Sequence, residues 1–399
     1  MQRKTRFFLN GSLLAGTTLA LRFVQLAFSA SITVRLGAEG TGLISLVNTV
    51  YGFGITLAVS GIALASMRLC ADAVGKQNDA ALTGAVRRCL VYAGAFGFAA
   101  LCLLLWSADL AGARFLGDAR TSASIRSLAF ALPFLSMATV FDGYFAAVGR
   151  VYKSAVADIC EQGVKIFFSV FFLRSALPGG TEAAVLAVTK GSCAGEIFAF
   201  LIALLLYMAD KKKHLTATGA PLAGQTNSMC RIALPVAFST YARSGLVTVE
   251  HALIPRGLRA SGASAATALA DYGVVRGMAL PIVLFPAAML SSFTGLLVPL
   301  FAEDIAAGNR QAIDRKASAS MNAAASFSAV AAVSLFAFGK PLGAAVYKND
   351  TAGSYIRLFA LLIPFMYCDT TADAMLKGLD KQVYTMLVNI APAARSAAR

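Results

Sequence analysis

Three arginines lie inside long apolar stretches of the sequence: Arg22, Arg243 and Arg276. None of them has an acidic residue within four positions along the chain. A charged side chain inside a membrane span is costly and usually faces a bundle interior or a water-filled cavity. Guanidinium groups bind phosphate through two parallel hydrogen bonds and stay charged at physiological pH. The predicted chemistry is therefore recognition of a phosphate or diphosphate group within a membrane.

Acidic residues inside the apolar stretches offer a second kind of chemistry. Glu161 and Lys165 are four residues apart, a spacing that favours an ion pair on one helix face, and Glu250 shares a face with Arg243. Two interpretations stay open. Such pairs can neutralise each other and join helices, or they can line the same cavity as the arginines.

A weak internal repeat supports a cavity shared by two halves. Arg22 and Arg243 are 221 positions apart, and the same offset aligns Tyr51 with Tyr272. Inverted or parallel repeats are common in transporters, whose substrate sites lie where the repeats meet. The two tyrosines therefore join the candidate substrate site, while a chance alignment remains the alternative.

The composition is that of a membrane protein. The hydrophobic fraction is 58%, the mean hydropathy is +0.69 and charged residues make up 14%. The net charge of +15 does not indicate a nucleic-acid partner, because the basic residues recur at the ends of apolar runs. The seven cysteines form no CxxC pair and are interpreted as small apolar fillers. No phosphate-binding loop, metal pattern or catalytic triad occurs, so we expect no enzyme activity, no cofactor and no metal site.

The apolar runs predict an all-α polytopic protein with two pseudo-symmetric bundles. We expect a bundle of six helices over 1–209, a cytoplasmic linker over 210–228 and an incomplete second bundle of four helices over 229–399. Lys and Arg are more numerous in the segments that lie on the same side of the membrane as the N-terminus. This bias predicts a cytoplasmic N-terminus. The predicted helices are 7–34, 41–69, 86–108, 124–148, 154–175, 183–208, 229–254, 267–302, 317–338 and 353–377.

The end of the chain is unusual. An apolar run begins after Lys381 and stops near Ile390, which is too short to cross about 30 Å of hydrocarbon as a helix. We expect a chain truncated within an eleventh helix, and a short interfacial helix is the alternative.

Four segments resemble the stage V sporulation protein B family. The most specific is Tyr272-Gly-Val-Val-Arg276-Gly-Met-Ala-Leu-Pro281, continuing to Pro299. The others are 37–52, 151–165 and 376–386. The resemblance covers nearly the whole chain and places it in the oligosaccharide and lipid II flippase branch of the multidrug/oligosaccharidyl-lipid/polysaccharide exporter superfamily.

This resemblance implies a MATE-like fold, with two bundles around a central cavity. It implies translocation of an undecaprenyl-diphosphate-linked cell-wall or polysaccharide precursor across the cytoplasmic membrane by alternating access, in particular for the spore cortex. Arg22 and Arg276 match the functional cavity arginines of related lipid II flippases, and Arg243 is added from the repeat. The expected partners are the bilayer and the lipid-linked oligosaccharide, and the chain is expected to be a monomer.

Two alternatives stay open beside that function. A cation-coupled multidrug exporter of the same superfamily would use the acids Asp142, Glu161 and Glu250. A truncated, non-transporting remnant or scaffold would follow from the short C-terminal run. The coupling ion is not predicted.

Overall fold

The computed structural model describes residues 2–214, 225–290 and 310–379, together with Thr294, Leu297 and Phe301, with side chains from Gly16 onward. Every regular element in these residues is a helix. The predicted end of the chain after Lys381, most of the 210–228 linker and the end of the 267–302 helix lie outside the described residues.

Long helices dominate the described chain, as the apolar runs predict. A π-helix follows α3 at Leu110–Leu116 and another precedes α10 at Val274–Ala279, while short 3-10 turns occupy Ala119–Thr121 and Leu177–Gly179. The α-helices are α1 Gln2–Val59, α2 Ile62–Gly75, α3 Asp79–Asp109, α4 Ser122–Ala129, α5 Leu132–Ala147, α6 Tyr152–Ala176, α7 Gly180–His214, α8 Gln225–Ala260, α9 Ala265–Gly273, α10 Leu280–Leu284, α11 Arg310–Tyr347, α12 Asp350–Ala360 and α13 Ile363–Gly378.

Six apolar helical stretches are long enough to cross a membrane, and the number rises to eight if each of two bent helix pairs is counted as one crossing. Two of the six, Leu19–Gly75 and Tyr152–Lys212, contain 57 and 61 residues. At about 1.5 Å per residue each exceeds twice the roughly 30 Å of hydrocarbon. Each is also interrupted, at Gly37 with φ 71° and at the Leu177–Gly179 turn. The described part of the chain therefore accommodates the ten predicted spans.

Two predicted helices are each split by a sharp bend close to a proline. α4 and α5 meet at 45° and α12 and α13 at 56°. Pro133 and Pro364 occupy the first turns of α5 and α13. A proline there lacks an N–H to donate and its ring clashes with the carbonyl of the preceding turn. The single helices predicted over 124–148 and 353–377 are therefore wrong in this detail.

The chain forms two compact units. Unit 1 contains 1–18 and 43–256, and unit 2 contains 19–42 and 257–399. Unit 1 thus includes nearly all of α8, and unit 2 includes part of α1. The predicted bundles over 1–209 and 229–399 stay a prediction.

Each unit has its own apolar core. In unit 1, buried side chains of α2, α3, α5 and α7 pack with the first turns of α8, around Phe141, Tyr144 and Tyr207. In unit 2, Ala30 of α1 packs with α10, α11, α12 and α13, around Ile356 and Tyr367.

All seven cysteines are free, as predicted.

Candidate functional site

The three predicted arginines are exposed side chains on three different elements. Arg22 lies on α1 and Arg276 on the second π-helix, both in unit 2, whereas Arg243 lies on α8 in unit 1. Within the described residues, none of them forms an ion pair or a hydrogen bond through its side chain. Each guanidinium therefore keeps its donors available for another group.

Arg276 lies within the π-helix Val274–Ala279, which the sequence reasoning did not predict. Pro281 follows in the first turn of α10 and has no N–H to donate to the carbonyl of Gly277. A wider π turn is one way to accommodate such a lost bond, and short π segments inside α-helices are frequent at functional sites. The proline five residues after Arg276 is the signal that could have indicated this irregularity.

Arg243 lies on α8 between two prolines within the helix, Pro235 and Pro255. Its neighbour Tyr241 links α8 to the end of α1 through hydrogen bonds. The Tyr241 hydroxyl donates to Ser60 Oγ at 2.6 Å or to the Leu57 carbonyl at 3.2 Å.

Arg243 and Glu250 share a helix face as predicted. Among the described residues, however, Glu250 forms no ion pair with Arg243 or with any other basic side chain. α8 therefore supplies a cation and an acid that do not neutralise each other.

A group of charged side chains meets inside unit 1, and we call it the Glu196 cluster. It consists of Tyr51, Asp158, Glu161, Lys165 and Glu196. Glu196 of α7 interacts electrostatically with Glu161, Lys165 and Asp158 of α6. Glu161 also lies within electrostatic range of Asp142 on α5. Among the described groups acting on Glu196, Lys165 is the one cation.

Close packing of α6 and α7 brings Glu196 to its neighbours. Gly191 and Gly195 lie where the two helices touch, and a Cβ at Gly191 would collide with the backbone and hydroxyl of Ser169. A Cβ at Gly195 would lie 3.1 Å from the Glu161 carbonyl oxygen. Small residues four apart allow helices to approach closely in membranes. The predicted Glu161–Lys165 pair is in electrostatic range, but its charged atoms are not within 4 Å of each other.

The Tyr51 hydroxyl lies within electrostatic range of this cluster. Tyr51 is 8% exposed, and its hydroxyl is buried with no partner among the described atoms. It interacts electrostatically with Glu196 and Glu161. The structure therefore brings Tyr51, Glu161 and Lys165 of the predicted site together. Tyr272 is buried in α9 of unit 2.

A second charged group in unit 1, which we call the Asp210 cluster, was missed by the sequence reasoning. It consists of Tyr144, Arg150, Lys153 and Asp210. Lys153 Nζ lies 2.5 Å from Asp210 Oδ1, Arg150 contacts the same oxygen, and the Tyr144 hydroxyl donates to Oδ2 at 3.3 Å. Arg150 and Lys153 were assigned to a loop and Asp210 to the linker, 57 or more residues away, so spacing contained no signal for this contact.

No group of three or more His, Cys, Asp or Glu residues among those described has the geometry to hold a metal ion. The charged groups discussed above are thus arginines that have no acidic partner among the described residues, the acid-rich Glu196 cluster and the neutralised Asp210 cluster. Such groups can bind anions at the arginines and protons at the acids.

No family model matches the chain. The stage V sporulation protein B of Bacillus subtilis (strain 168) is 22% identical over 378 residues, covering 94% of this chain and 73% of that protein. An inward-facing multidrug resistance MATE family transporter of the MOP superfamily superposes with a TM-score of 0.76 at 14% identity, covering 94% of this chain and 84% of that one. The chain has the MATE fold. An outward-facing structure of a MATE family transporter also matches, with a TM-score of 0.67 at 14% identity over 96% of this chain and 84% of that one.

These findings confirm two of the predictions. The chain is an all-α, multi-pass membrane protein with a MATE-like fold, and its similarity to stage V sporulation protein B is real. The MATE fold does not by itself show where a substrate binds. The substrate site formed by the arginines, acids and tyrosines therefore stays a prediction.

Proposed function

We propose that this chain is a flippase that moves a diphosphate-linked lipid saccharide across the cytoplasmic membrane by alternating access. The similarity to stage V sporulation protein B and the MATE fold support a flippase or exporter of the MOP superfamily. The cargo we propose is an undecaprenyl-diphosphate-linked cell-wall precursor resembling lipid II, used for the spore cortex. The N-terminus is cytoplasmic in this proposal, and 1–209 and 229–399 are the moving bundles.

The observation that carries the proposal is the set of span arginines without carboxylate partners. Arg22, Arg243 and Arg276 place three permanent positive charges in apolar helices, and none is neutralised by a described acid. A diphosphate offers several oxygens that accept bidentate hydrogen bonds from guanidinium groups. The lipid tail of such a substrate can remain in hydrocarbon while its head group is bound.

The experiment is translocation of a fluorescent lipid-linked diphosphate saccharide by the purified chain in vesicles. We expect Arg276→Ala or Arg22→Ala to lower the rate by roughly 100-fold, since losing one charged partner costs a few kcal/mol. Arg276→Lys should restore only part of the rate, because an ammonium is a point charge without the planar fork.

Arg174→Ala is the matched control. Arg174 is an exposed arginine in the last turn of α6, outside the predicted site. Wild-type translocation by both Arg22→Ala and Arg276→Ala, in protein that is correctly folded, would exclude the proposed site.

The Glu196 cluster favours one second candidate, a cation-coupled multidrug exporter. Asp158, Glu161 and Glu196 lie within electrostatic range of one another, Asp142 acts on Asp158 and Glu161, and Lys165 acts on Glu161 and Glu196. Acids inside a span commonly bind protons or cations that drive transport. If this function is correct, vesicles should export a lipophilic cation along an imposed gradient, and Glu196→Gln should stop that export. If the wild-type chain does not export the lipophilic cation, the flippase remains the better proposal.

A further inference from the structure

A groove between α3 and α8 in unit 1 combines a basic end with an apolar end. Its volume is about 610 Å³, and its lining includes Gly84, Arg87, Arg88, Val91, Ala95 and Thr226. All of these residues belong to one compact unit. The groove contains none of the residues placed in the predicted substrate site, so what it binds can be inferred independently of the proposed function.

The order of residues along α3 gives the groove its two ends. Gly84, Arg88, Val91 and Ala95 follow one another at intervals of three or four, so they form a stripe on one face of the helix. The charges come first, and small or branched apolar side chains follow toward the helix centre. Val91 is 69% exposed, although it is apolar. This pattern fits a ligand with an anionic head and a hydrocarbon tail.

Arg88 is held in place by an amide from α8. It donates from Nη1 to Gln225 Oε1, and Gln225 Nε2 donates to the Ala81 carbonyl at 3.0 Å. Gln225 itself is 5% exposed, so the amide that fixes Arg88 is itself nearly buried. Arg88 is therefore oriented by the contact between α3 and α8, and its other N–H groups remain available.

The charge of the groove is not neutralised by its own lining. Arg87 is exposed and forms no ion pair with any residue the structure describes, and no acidic side chain is part of the lining. Two adjacent guanidinium groups beside the hydroxyl of Thr226 provide several donors for phosphate oxygens. Gly84, one turn before Arg88, has no side chain that would cover them.

We propose that this groove binds the phosphate of an anionic glycerophospholipid, with one acyl chain lying along Val91 and Ala95. Basic pockets between membrane helices bind anionic head groups at the cytoplasmic surface, and the predicted orientation places this end of α3 on that side. The bound lipid is a resident of the bilayer and joins α8 to α3.

The test is retention of phosphatidylglycerol by the full chain, purified in detergent and measured by native mass spectrometry against phosphatidylcholine. Each basic residue near an anionic lipid contributes about fivefold in affinity, so Arg87→Gln with Arg88→Gln should weaken phosphatidylglycerol binding about 30-fold. Ala95→Phe, which fills the apolar end and keeps both charges, should also displace the lipid. Arg88→Lys keeps the charge and should retain most of the binding.

The matched control is Arg68→Gln with Arg231→Gln, which removes two exposed arginines outside the groove lining. This control should retain the lipid. Equal losses in both double variants would mean general attraction to a basic surface and would overturn the proposal. Wild-type retention in Ala95→Phe, with displacement by inorganic phosphate, would identify a free-anion site and would overturn it too. Melting temperatures of each variant show whether the fold is intact.

Discussion

The Asp210 cluster and the Glu196 cluster are both formed by charged side chains of unit 1, but their charges are balanced differently. In the Asp210 cluster, one carboxylate receives two cations and a tyrosine hydroxyl. In the Glu196 cluster, Glu161 and Glu196 lie within electrostatic range of one lysine, Asp158 adds a further acid, and the tyrosine hydroxyl has no partner among the described atoms.

We interpret this difference as one between charges that stabilise the fold and charges whose repulsion is relieved by binding. A buried carboxylate with complete partners resists removal, because its partners would be left as uncompensated charges. Like charges gathered around one cation repel each other, and the protein tolerates them only when protons or cations relieve the repulsion. We infer that the Asp210 cluster holds α7 to the start of α6, whereas the Glu196 cluster exchanges protons.

The largest difference between the two clusters should appear when one acid in each is neutralised without changing its size. Asp210→Asn leaves Arg150 and Lys153 beside an uncharged amide, and we expect a loss of about 3 kcal/mol in the free energy of unfolding. Glu196→Gln removes one of three neighbouring acids, so stability should stay the same or rise by less than about 1 kcal/mol. Unfolding in mixed micelles with increasing denaturing detergent measures both.

Asp72→Asn provides the control for that comparison. Asp72 pairs with Lys76 at 2.8 Å, but both side chains are more than half exposed. An exposed pair contributes little to stability, so this variant should unfold like the wild type. Equal losses for Asp210→Asn and Glu196→Gln would show that both clusters are structural.

A second change disrupts the Glu196 cluster through the backbone rather than through charge. Gly191→Ala places a methyl group against Ser169, where α6 and α7 touch. Forcing extra volume into a tight contact typically costs about 1 to 3 kcal/mol, and we expect about 2. The displacement should also move Glu196 away from Glu161 and Lys165, which distance measurements between spin labels on α6 and α7 would detect.

Gly163→Ala is the matched control for Gly191→Ala. Gly163 lies on α6, and a Cβ there would meet nothing within 4 Å. Alanine favours a helix over glycine, so this variant should be as stable as the wild type or slightly more stable. Equal losses for the two alanine variants would mean that glycine flexibility, and not close packing, is what matters in these helices.

The sequence predicted much of the fold and only part of these clusters. Long apolar runs indicate spans, and spacing along α6 placed Glu161 and Lys165 on one face, because both signals are local. Glu196 joins them from another helix through the contact at Gly191 and Gly195, and Arg150 and Lys153 reach Asp210 across a hairpin. Helical periodicity does not show which faces meet, so neither contact was predicted.

The same limit explains the two other features that sequence reasoning missed. The π-helix at Arg276 depends on how the chain accommodates Pro281, and a hydropathy pattern contains no such detail. The assignment of α8 to unit 1 depends on contacts such as Tyr241 with Ser60, which are 181 residues apart. Local pattern therefore identified the charged residues of the candidate site more readily than their neighbours.

The smallest expected effects come from two tyrosine-to-phenylalanine changes, and they should have opposite signs. Tyr144→Phe removes a hydrogen bond to the Asp210 carboxylate, so we expect a loss of about 1 kcal/mol in the free energy of unfolding. Tyr51→Phe removes a buried hydroxyl that has no partner among the described atoms, so we expect a gain of about 1 kcal/mol. Both variants keep the aromatic ring, so packing changes little and the sign of each effect reports on the hydroxyl.

The Tyr51→Phe change also tests whether protons balance the charges of the Glu196 cluster. A tyrosine hydroxyl can donate a hydrogen bond to an ionised carboxylate, so its removal should be less favourable when the acids of the cluster have lost their protons. Unfolding of Tyr51→Phe at a low and a high pH separates these cases. A gain in stability at low pH that shrinks at high pH would identify Tyr51 as a partner of an acid that exchanges its proton. A loss under every condition would mean that the hydroxyl has a structural partner, and the contrast between the two clusters would then be wrong at this residue.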